Sequence, residues 1–440
     1  MNNITGFFSY LIKIVLSFLC ALLMCMICGT KSSVIDSYVM CVFAFSVATF
    51  VLSYLFFGIS GVTKVVMLAY FLKIIIGLIH YLVFFDSDYF TSSGLVIFHN
   101  NLEYSNVYEA ICSIANDKSV YGLFYTDLHS VFATHPEMLH LISIPFVYFG
   151  NYILTISPIN AFFSSFICVS WVILAKEYLG MDKKKQQFLL YITAFFPMFI
   201  VSSYWARDIV GISLMSIGIT MFLLSKSIIL KCISLVCALY LFYMHRTLYP
   251  IILLLALVLS PIVGHGSKNF RQNIIFSILI LYGMSYASEI FLPFIFTDVN
   301  TSMYNDTLEM SYGGFFIKFV LLFIGPLWRQ INTAPEYSYA LWETFAVIIM
   351  DAGILSFIKS KNDFSFDKIN TLAILGFFLF LVGAFNSSGH IPYVVVGIIF
   401  LLPFLVDSCS IKLFTKNLKL VVVPIIVLNI LSLFFQFGIF

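Results

Sequence analysis

The chain has 440 residues, of which 61% are hydrophobic and only 10% are charged. Soluble domains carry about a quarter charged residues, so this composition excludes a cytosolic enzyme with a single membrane anchor and predicts an all-α, polytopic membrane protein. The net charge of +2 is too small and too dispersed for a nucleic-acid surface, and the nine cysteines imply no disulfide framework because most lie in apolar segments.

Apolar segments separated by charged or turn-rich breaks mark the expected membrane spans. A span needs about 20 apolar residues, and the pattern predicts about 11 to 14 spans in one integral membrane domain over residues 1–440. The segments lie near 7–28, 38–58, 65–85, 156–175, 187–205, 209–225, 232–244, 248–264, 272–294, 341–358, 370–386, 391–407 and 420–438. The first is expected to be a retained span, because it is longer than a signal-peptide core.

The basic residues between spans fall in alternate loops, which the positive-inside rule assigns to the cytoplasm together with the N-terminus. Two loops are then periplasmic: an acidic loop over 86–155 with an interfacial helix, and a second loop over 295–340 with a re-entrant segment. Their apolar stretches, 141–154 and 313–327, cannot cross fully without breaking the charge alternation. Pro136 is expected in the first turn of a helix.

The apolar stretch 232–264 is interrupted by His245-Arg246-Thr247, with Pro250 just beyond. A single helix here would bury His245 and Arg246 at mid-membrane and invert the side of every later loop. The sequence therefore predicts two short helices that meet at this tripeptide, each shorter than the roughly 30 Å hydrocarbon core.

Arginines are few and unevenly placed. Three of the four arginines, Arg207, Arg246 and Arg329, fall on the outer side, whereas most lysines face inward. The guanidinium group can donate two parallel hydrogen bonds to one phosphate, so arginines at these positions predict a phosphate-bearing ligand on the outer side. The alternative is that each arginine is an ordinary interfacial anchor, or pairs with an acidic neighbour such as Asp208.

Carboxylates at the same boundary are candidates for proton transfer. Asp86 and Asp88 lie where the third span enters the acidic loop, and Asp208 follows Arg207. A carboxylate there can act as general base toward a hydroxyl, although two aspartates after a helix are also common turn residues. The histidines of the outer loop lack metal-ligand spacing, so no metal is expected. The sequence also has no Gly-rich phosphate loop, and no cofactor is expected.

Aromatic residues accompany these groups on the outer side. Aromatic rings stack on sugar rings, although they also form girdles at membrane interfaces. The candidate substrate-binding residues are Tyr204, Trp205, His245, Trp328 and His390.

Four segments carry a family resemblance. They are Phe196-Pro197 with Ser202-Ser203-Tyr204-Trp205-Ala206-Arg207-Asp208, then His245-Arg246-Thr247, then Gly325-Pro326-Leu327-Trp328-Arg329, then Ser388-Gly389-His390-Ile391-Pro392. In this order, and with the aromatic-rich composition, they resemble the Wzy-type polymerases of bacterial O-antigen and capsule repeat units. The arrangement also resembles multi-span GT-C-type glycosyltransferases. His390 stands where the polymerases more usually have arginine, and the large outer loop comes earlier.

The resemblance implies glycosyl transfer at the periplasmic face of the bacterial inner membrane. An undecaprenyl-pyrophosphate-linked oligosaccharide would be the donor, and another lipid-linked repeat unit the acceptor. Arg207, Arg246 and Arg329 would stabilise the departing pyrophosphate, and Asp86, Asp88 or Asp208 would accept the proton. Membrane lipids and a chain-length regulator protein are further candidate partners.

Two other functions remain open. A GT-C-type transferase would move one sugar from a polyprenyl phosphate, and a flippase would bind the same pyrophosphate without chemistry. Flippases and other transporters often have paired halves with broken helices in matching positions, and the sequence has no such symmetry.

Overall fold

The computed structural model describes residues 4–84, 136–150, 152–197, 206–246, 249–264, 334–360, 371–386 and 392–436. All regular structure in these ranges is helical. Apart from a short 3-10 turn at Ile153–Thr155, the helices are α1 (Ile4–Cys28), α2 (Val34–Phe57), α3 (Gly61–Phe84), α4 (Pro136–Phe149), α5 (Ile156–Glu177), α6 (Lys183–Ala194), α7 (Ala206–Leu224), α8 (Ile228–His245), α9 (Tyr249–Gly264), α10 (Ala334–Lys359), α11 (Thr371–Asn386), α12 (Pro392–Ser408) and α13 (Ile411–Gln436).

The predicted all-α, multi-pass membrane character is confirmed. Six helices in the described ranges are long and apolar enough to cross a membrane: Gly6–Cys28, Val34–Phe57, Gly61–Ile79, Ile156–Glu177, Ile228–His245 and Ile411–Ser432. Their outward faces are apolar, as on α1, where Ile12 and Leu23 are 54% and 55% exposed. Such faces suit lipid rather than water. Most of the predicted acidic loop, the span at 272–294 and the segment 313–327 lie outside the described residues.

Residues Met1–Arg246 form one compact unit, and Thr247–Phe440 form a second. In the first unit α5 is the central helix, because 19 of its 22 residues are buried and it packs against α2, α3, α6 and α7. Aromatic rings fill this centre: Phe18 of α1 stacks on Phe166 of α5 with ring centroids 4.8 Å apart. Helices α1, α2 and α3 surround α5 and are largely exposed on their other sides.

Helix α4 begins at Pro136, as predicted, and has 14 residues. At about 1.5 Å per residue it is roughly 21 Å long, too short for the roughly 30 Å hydrocarbon core. It packs against α1, α2 and α7, and it ends at Phe149, directly before Gly150, whose φ of 88° favours glycine. Its placement at the outer interface stays a prediction.

Two predicted boundaries are wrong. The span expected at 187–205 is interrupted, since α6 ends at Ala194; Pro197 has no amide hydrogen and disfavours helical geometry at Phe196. The last helix begins at Ile411 rather than near 420. Its lysines lie on one exposed helical face at spacings of four and three residues, instead of in a loop: Lys412, Lys416 and Lys419.

In the second unit, α11 and α12 form an antiparallel pair whose close approach depends on glycines. A Cβ on Gly376 would lie 2.7 Å from the Leu401 nitrogen, and a Cβ on Gly397 would collide with the Phe380 backbone. Small residues of this kind allow membrane helices to pack closely. Helix α10 packs on α12 and α13.

Candidate functional site

Helices α7 and α8 form the hairpin that carries four of the predicted site positions. Residues 225–227 connect the two helices, so the hairpin is antiparallel. Helix α8 ends at His245 because Arg246 adopts an extended conformation, with φ −154° and ψ 141°, and its N–H closes the last turn on the Phe242 carbonyl. The predicted helix break after His245 is therefore confirmed, but α8 has 18 residues and is long enough to cross a membrane, so it is longer than the predicted segment 232–244.

Two glycines of α7 fix the register of the hairpin. A Cβ on Gly218 would lie 3.0 Å from the Ala238 Cα, and a Cβ on Gly211 would overlap the imidazole ring of His245. The ring of His245 therefore covers the surface of Gly211 and is fully buried there. Because the two glycines are seven residues apart, they lie on the same face of α7.

This register brings predicted site positions together. Arg207 and Asp208 lie in the first turn of α7, about 6 Å along the axis before Gly211. His245 is opposite Gly211, and the half-buried Arg246 follows it directly. Two adjacent pairs of residues that are distant from each other in sequence thus share one end of the hairpin, the end that the charge alternation predicts to be periplasmic.

The chemistry of this end favours an anion. The first amides of an α-helix have no acceptors within the helix and carry the positive end of the helix dipole, and in α7 this end holds Arg207 and Asp208. Arg246 adds a permanent positive charge at the same end. Together they favour an anionic group at this end of the hairpin.

The remaining predicted site residues lie outside the described residues: Asp86, Asp88, Tyr204, Trp205, Trp328, Arg329 and His390. Helix α3 ends at Phe84, so the chain toward Asp86 leaves α3 at the end predicted to be periplasmic. His390 lies in the five residues that connect α11 to α12. Within the described ranges, no group of three or more metal-ligating side chains comes together.

No role for Lys73 follows from the sequence alone, in which this lysine lies inside the expected span near 65–85. Lys73 of α3 is 3% exposed, and its ammonium donates a hydrogen bond to the Ser164 hydroxyl of α5 at 2.7 Å. Ionisable residues inside a membrane domain are costly and are usually paired. The signal for this contact was a lysine in an otherwise apolar segment, but nothing local pointed to its partner.

No protein-family model matches the chain, and neither a curated protein nor a solved structure shows significant similarity to it. The resemblance to Wzy-type polymerases therefore rests on the sequence segments.

Proposed function

We propose that the chain polymerises undecaprenyl-pyrophosphate-linked oligosaccharide repeat units at the periplasmic face of the inner membrane. The observation that carries the proposal is the convergence of Arg207 and Asp208 with His245 and Arg246 at one end of the α7–α8 hairpin. A basic pair beside a carboxylate is the set of groups that glycosyl transfer from a lipid pyrophosphate requires.

The proposed reaction exchanges one carbon–oxygen bond for another. A sugar hydroxyl of the acceptor repeat unit attacks the anomeric carbon of the donor glycan, and the bond from that carbon to the pyrophosphate oxygen breaks. The acceptor proton goes to a carboxylate, with Asp208, Asp86 and Asp88 as the candidates. The leaving group is undecaprenyl pyrophosphate, whose growing negative charge is stabilised by Arg207, Arg246 and Arg329.

Arginine suits this role better than lysine. Its charge persists near an apolar boundary, and its fork of donors binds two phosphate oxygens at once. Electrostatic stabilisation is also stronger where water is partly excluded, as at the end of a membrane helix. The buried His245 next to Arg246 would hold that arginine at a fixed depth.

The first experiment replaces Arg246 and Arg207 singly by alanine and by lysine in cells that make the polysaccharide. Removal of one preorganised donor typically slows a reaction about 10²–10³-fold, so each alanine variant is expected to reduce the glycan ladder to short products. Lysine is expected to restore only part of the chain length. The matched control is Arg271→Ala, because Arg271 is the one arginine predicted to be cytoplasmic.

An unchanged ladder in both alanine variants would remove these arginines from the mechanism. A full ladder in the lysine variants would reduce them to generic positive charges. Membrane levels of each variant, measured on the same samples, separate loss of activity from loss of protein.

Deletion of the gene separates the proposed function from its two alternatives. Loss of a polymerase leaves lipid A core that carries one repeat unit. Loss of a single-sugar transferase leaves a complete ladder that lacks one substituent, and loss of a flippase leaves lipid-linked units on the cytoplasmic face with no periplasmic product.

A further inference from the structure

A cavity of about 380 Å³ lies in the first unit, at the opposite end of α7 from the candidate site. It is bounded by the first turns of α1 and the last turns of α2, α5 and α7. Small-molecule sites in proteins have volumes of about 300–1,000 Å³, so the cavity is large enough to hold a headgroup. All four helix ends belong to the side that the positive-inside rule predicts to be cytoplasmic.

The polar part of the cavity is cationic. Three lysines line it, Lys13, Lys176 and Lys226, against one carboxylate, Glu177. Lys176 and Glu177 form an exposed ion pair at 2.8 Å, so their charges largely offset each other. Lys13 and Lys226 then supply the excess positive charge.

Lys13 is held in a defined position. Its ammonium lies over the ring of Phe56 on α2, 5.1 Å from the centroid. One turn earlier, buried Tyr10 packs on the same ring and shares a 2.8 Å hydrogen bond with Ser170 of α5. The floor of the cavity therefore belongs to the packed interior of the unit.

The rest of the wall is apolar. Phe56 and Phe57 of α2, Ile173 of α5, and Leu223 and Leu224 of α7 line it. A free inorganic anion would gain nothing from these side chains. An amphiphile would use both parts, with its phosphate at the lysines and its hydrocarbon against the apolar wall.

We propose that this cavity binds an anionic glycerophospholipid of the cytoplasmic leaflet, through its headgroup phosphate at Lys13 and Lys226. The site is separate from the one assigned to glycosyl transfer: Arg207 and Leu224 are 17 residues apart on α7, about 26 Å at 1.5 Å per residue. Failure of either proposal therefore leaves the other standing.

The test measures phosphatidylglycerol bound to the purified full-length protein in neutral detergent, by native mass spectrometry, with phosphatidylcholine as the uncharged comparison. The test variant is Lys13→Gln/Lys226→Gln. Each lysine near a membrane surface is worth about fivefold in binding an acidic lipid, so the affinity for phosphatidylglycerol is expected to fall about thirtyfold. Wild-type protein is expected to prefer phosphatidylglycerol over phosphatidylcholine.

The matched control is Lys416→Gln/Lys419→Gln, which removes the same charge from exposed positions of α13 on the same predicted side. It is expected to bind as wild type does. An equal loss of phosphatidylglycerol affinity in the two double variants would show that any basic surface binds the lipid, and it would overturn the proposal. Displacement of the lipid by millimolar glycerol phosphate or inorganic phosphate would also overturn it, since the cavity would then be a free-anion site.

A second variant, Lys226→Glu, keeps the test valid if the double variant fails to fold. Lys226 is exposed in the turn between α7 and α8, so its replacement leaves the packed helices intact. Reversal of its charge is expected to lower phosphatidylglycerol binding more than fivefold, and unchanged binding would contradict the proposal.

Discussion

Replacement of Gly211 by alanine tests the packing on which the candidate site depends. The added Cβ would overlap the imidazole of His245, which is fully buried. Overpacking of this kind costs about 1–3 kcal/mol, and the better helix propensity of alanine returns about 0.5–1 kcal/mol. We therefore expect a net destabilisation of about 1–2 kcal/mol.

The functional effect is expected to exceed the loss of stability. To accommodate the Cβ, the end of α8 must move away from α7, and Arg246 moves with it because it follows His245 directly. Misplacement of a catalytic group by about 1 Å can reduce a rate about 100-fold. Gly211→Ala is therefore expected to shorten the glycan ladder even at temperatures where the protein remains folded.

The assay combines thermal unfolding of the purified protein in detergent with the glycan ladder from cells. Gly61→Ala is the control, because a Cβ there meets no atom within 4 Å and should change the free energy of unfolding by less than about 0.5 kcal/mol. The double variant Gly211→Ala/His245→Ala should recover stability relative to the sum of the single changes, since removal of the ring relieves the overlap. Simple additivity of the two changes, or wild-type stability of Gly211→Ala, would refute the proposed register.

Three further substitutions test other contacts by the same unfolding assay. Ser164→Ala removes the hydroxyl that accepts the Lys73 hydrogen bond and should destabilise the protein by about 1–3 kcal/mol; an unchanged midpoint would show that the bond contributes nothing. Gly397→Ala forces a Cβ against the Phe380 backbone, which cannot rotate away, and should cost about 3 kcal/mol or prevent folding; tolerance of alanine would contradict the α11–α12 packing. Asn417→Ala breaks the hydrogen bonds that join α13 to α10 and should cost about 1–3 kcal/mol, whereas an exposed serine-to-alanine control should cost almost nothing.

Hydropathy located most helices of the described ranges because the apolar length of a span is a local property of the sequence. Helix α5 begins at the predicted residue, and the break after His245 was visible as a charged pair followed by a proline. The errors arose where backbone geometry decides the boundary. Pro197 ended α6 within an apolar run, and the amphipathic start of α13 continued through lysines that a hydropathy average assigns to a loop.

The contacts between helices were not predictable in the same way. Gly211 and Gly218 are seven residues apart in an apolar segment, which indicates a close helix contact, but the spacing does not say which helix makes it. The partner depends on the complementary shape of His245 and Ala238, which no periodicity in either helix reveals. The contact between Lys73 and a hydroxyl 91 residues away is of the same kind.

Helix α7 shows how local sequence and packing between helices together determine a site. Its local sequence places Arg207 and Asp208 at one end and Lys226 just past the other, so the two ends of the helix differ in chemistry. The packing of α8 on Gly211 and Gly218 brings Arg246 to the end of α7 that holds Arg207. The packing of α1, α2 and α5 encloses the cavity at the opposite end of α7. An isolated charged side chain at a membrane surface is an ordinary anchor and contributes little binding energy by itself. A charged side chain that packed neighbours hold in a fixed position is better suited to bind a ligand. At the N-terminal end of α7 that neighbour is the buried imidazole of His245, and at the C-terminal end it is the ring of Phe56 beneath the Lys13 ammonium.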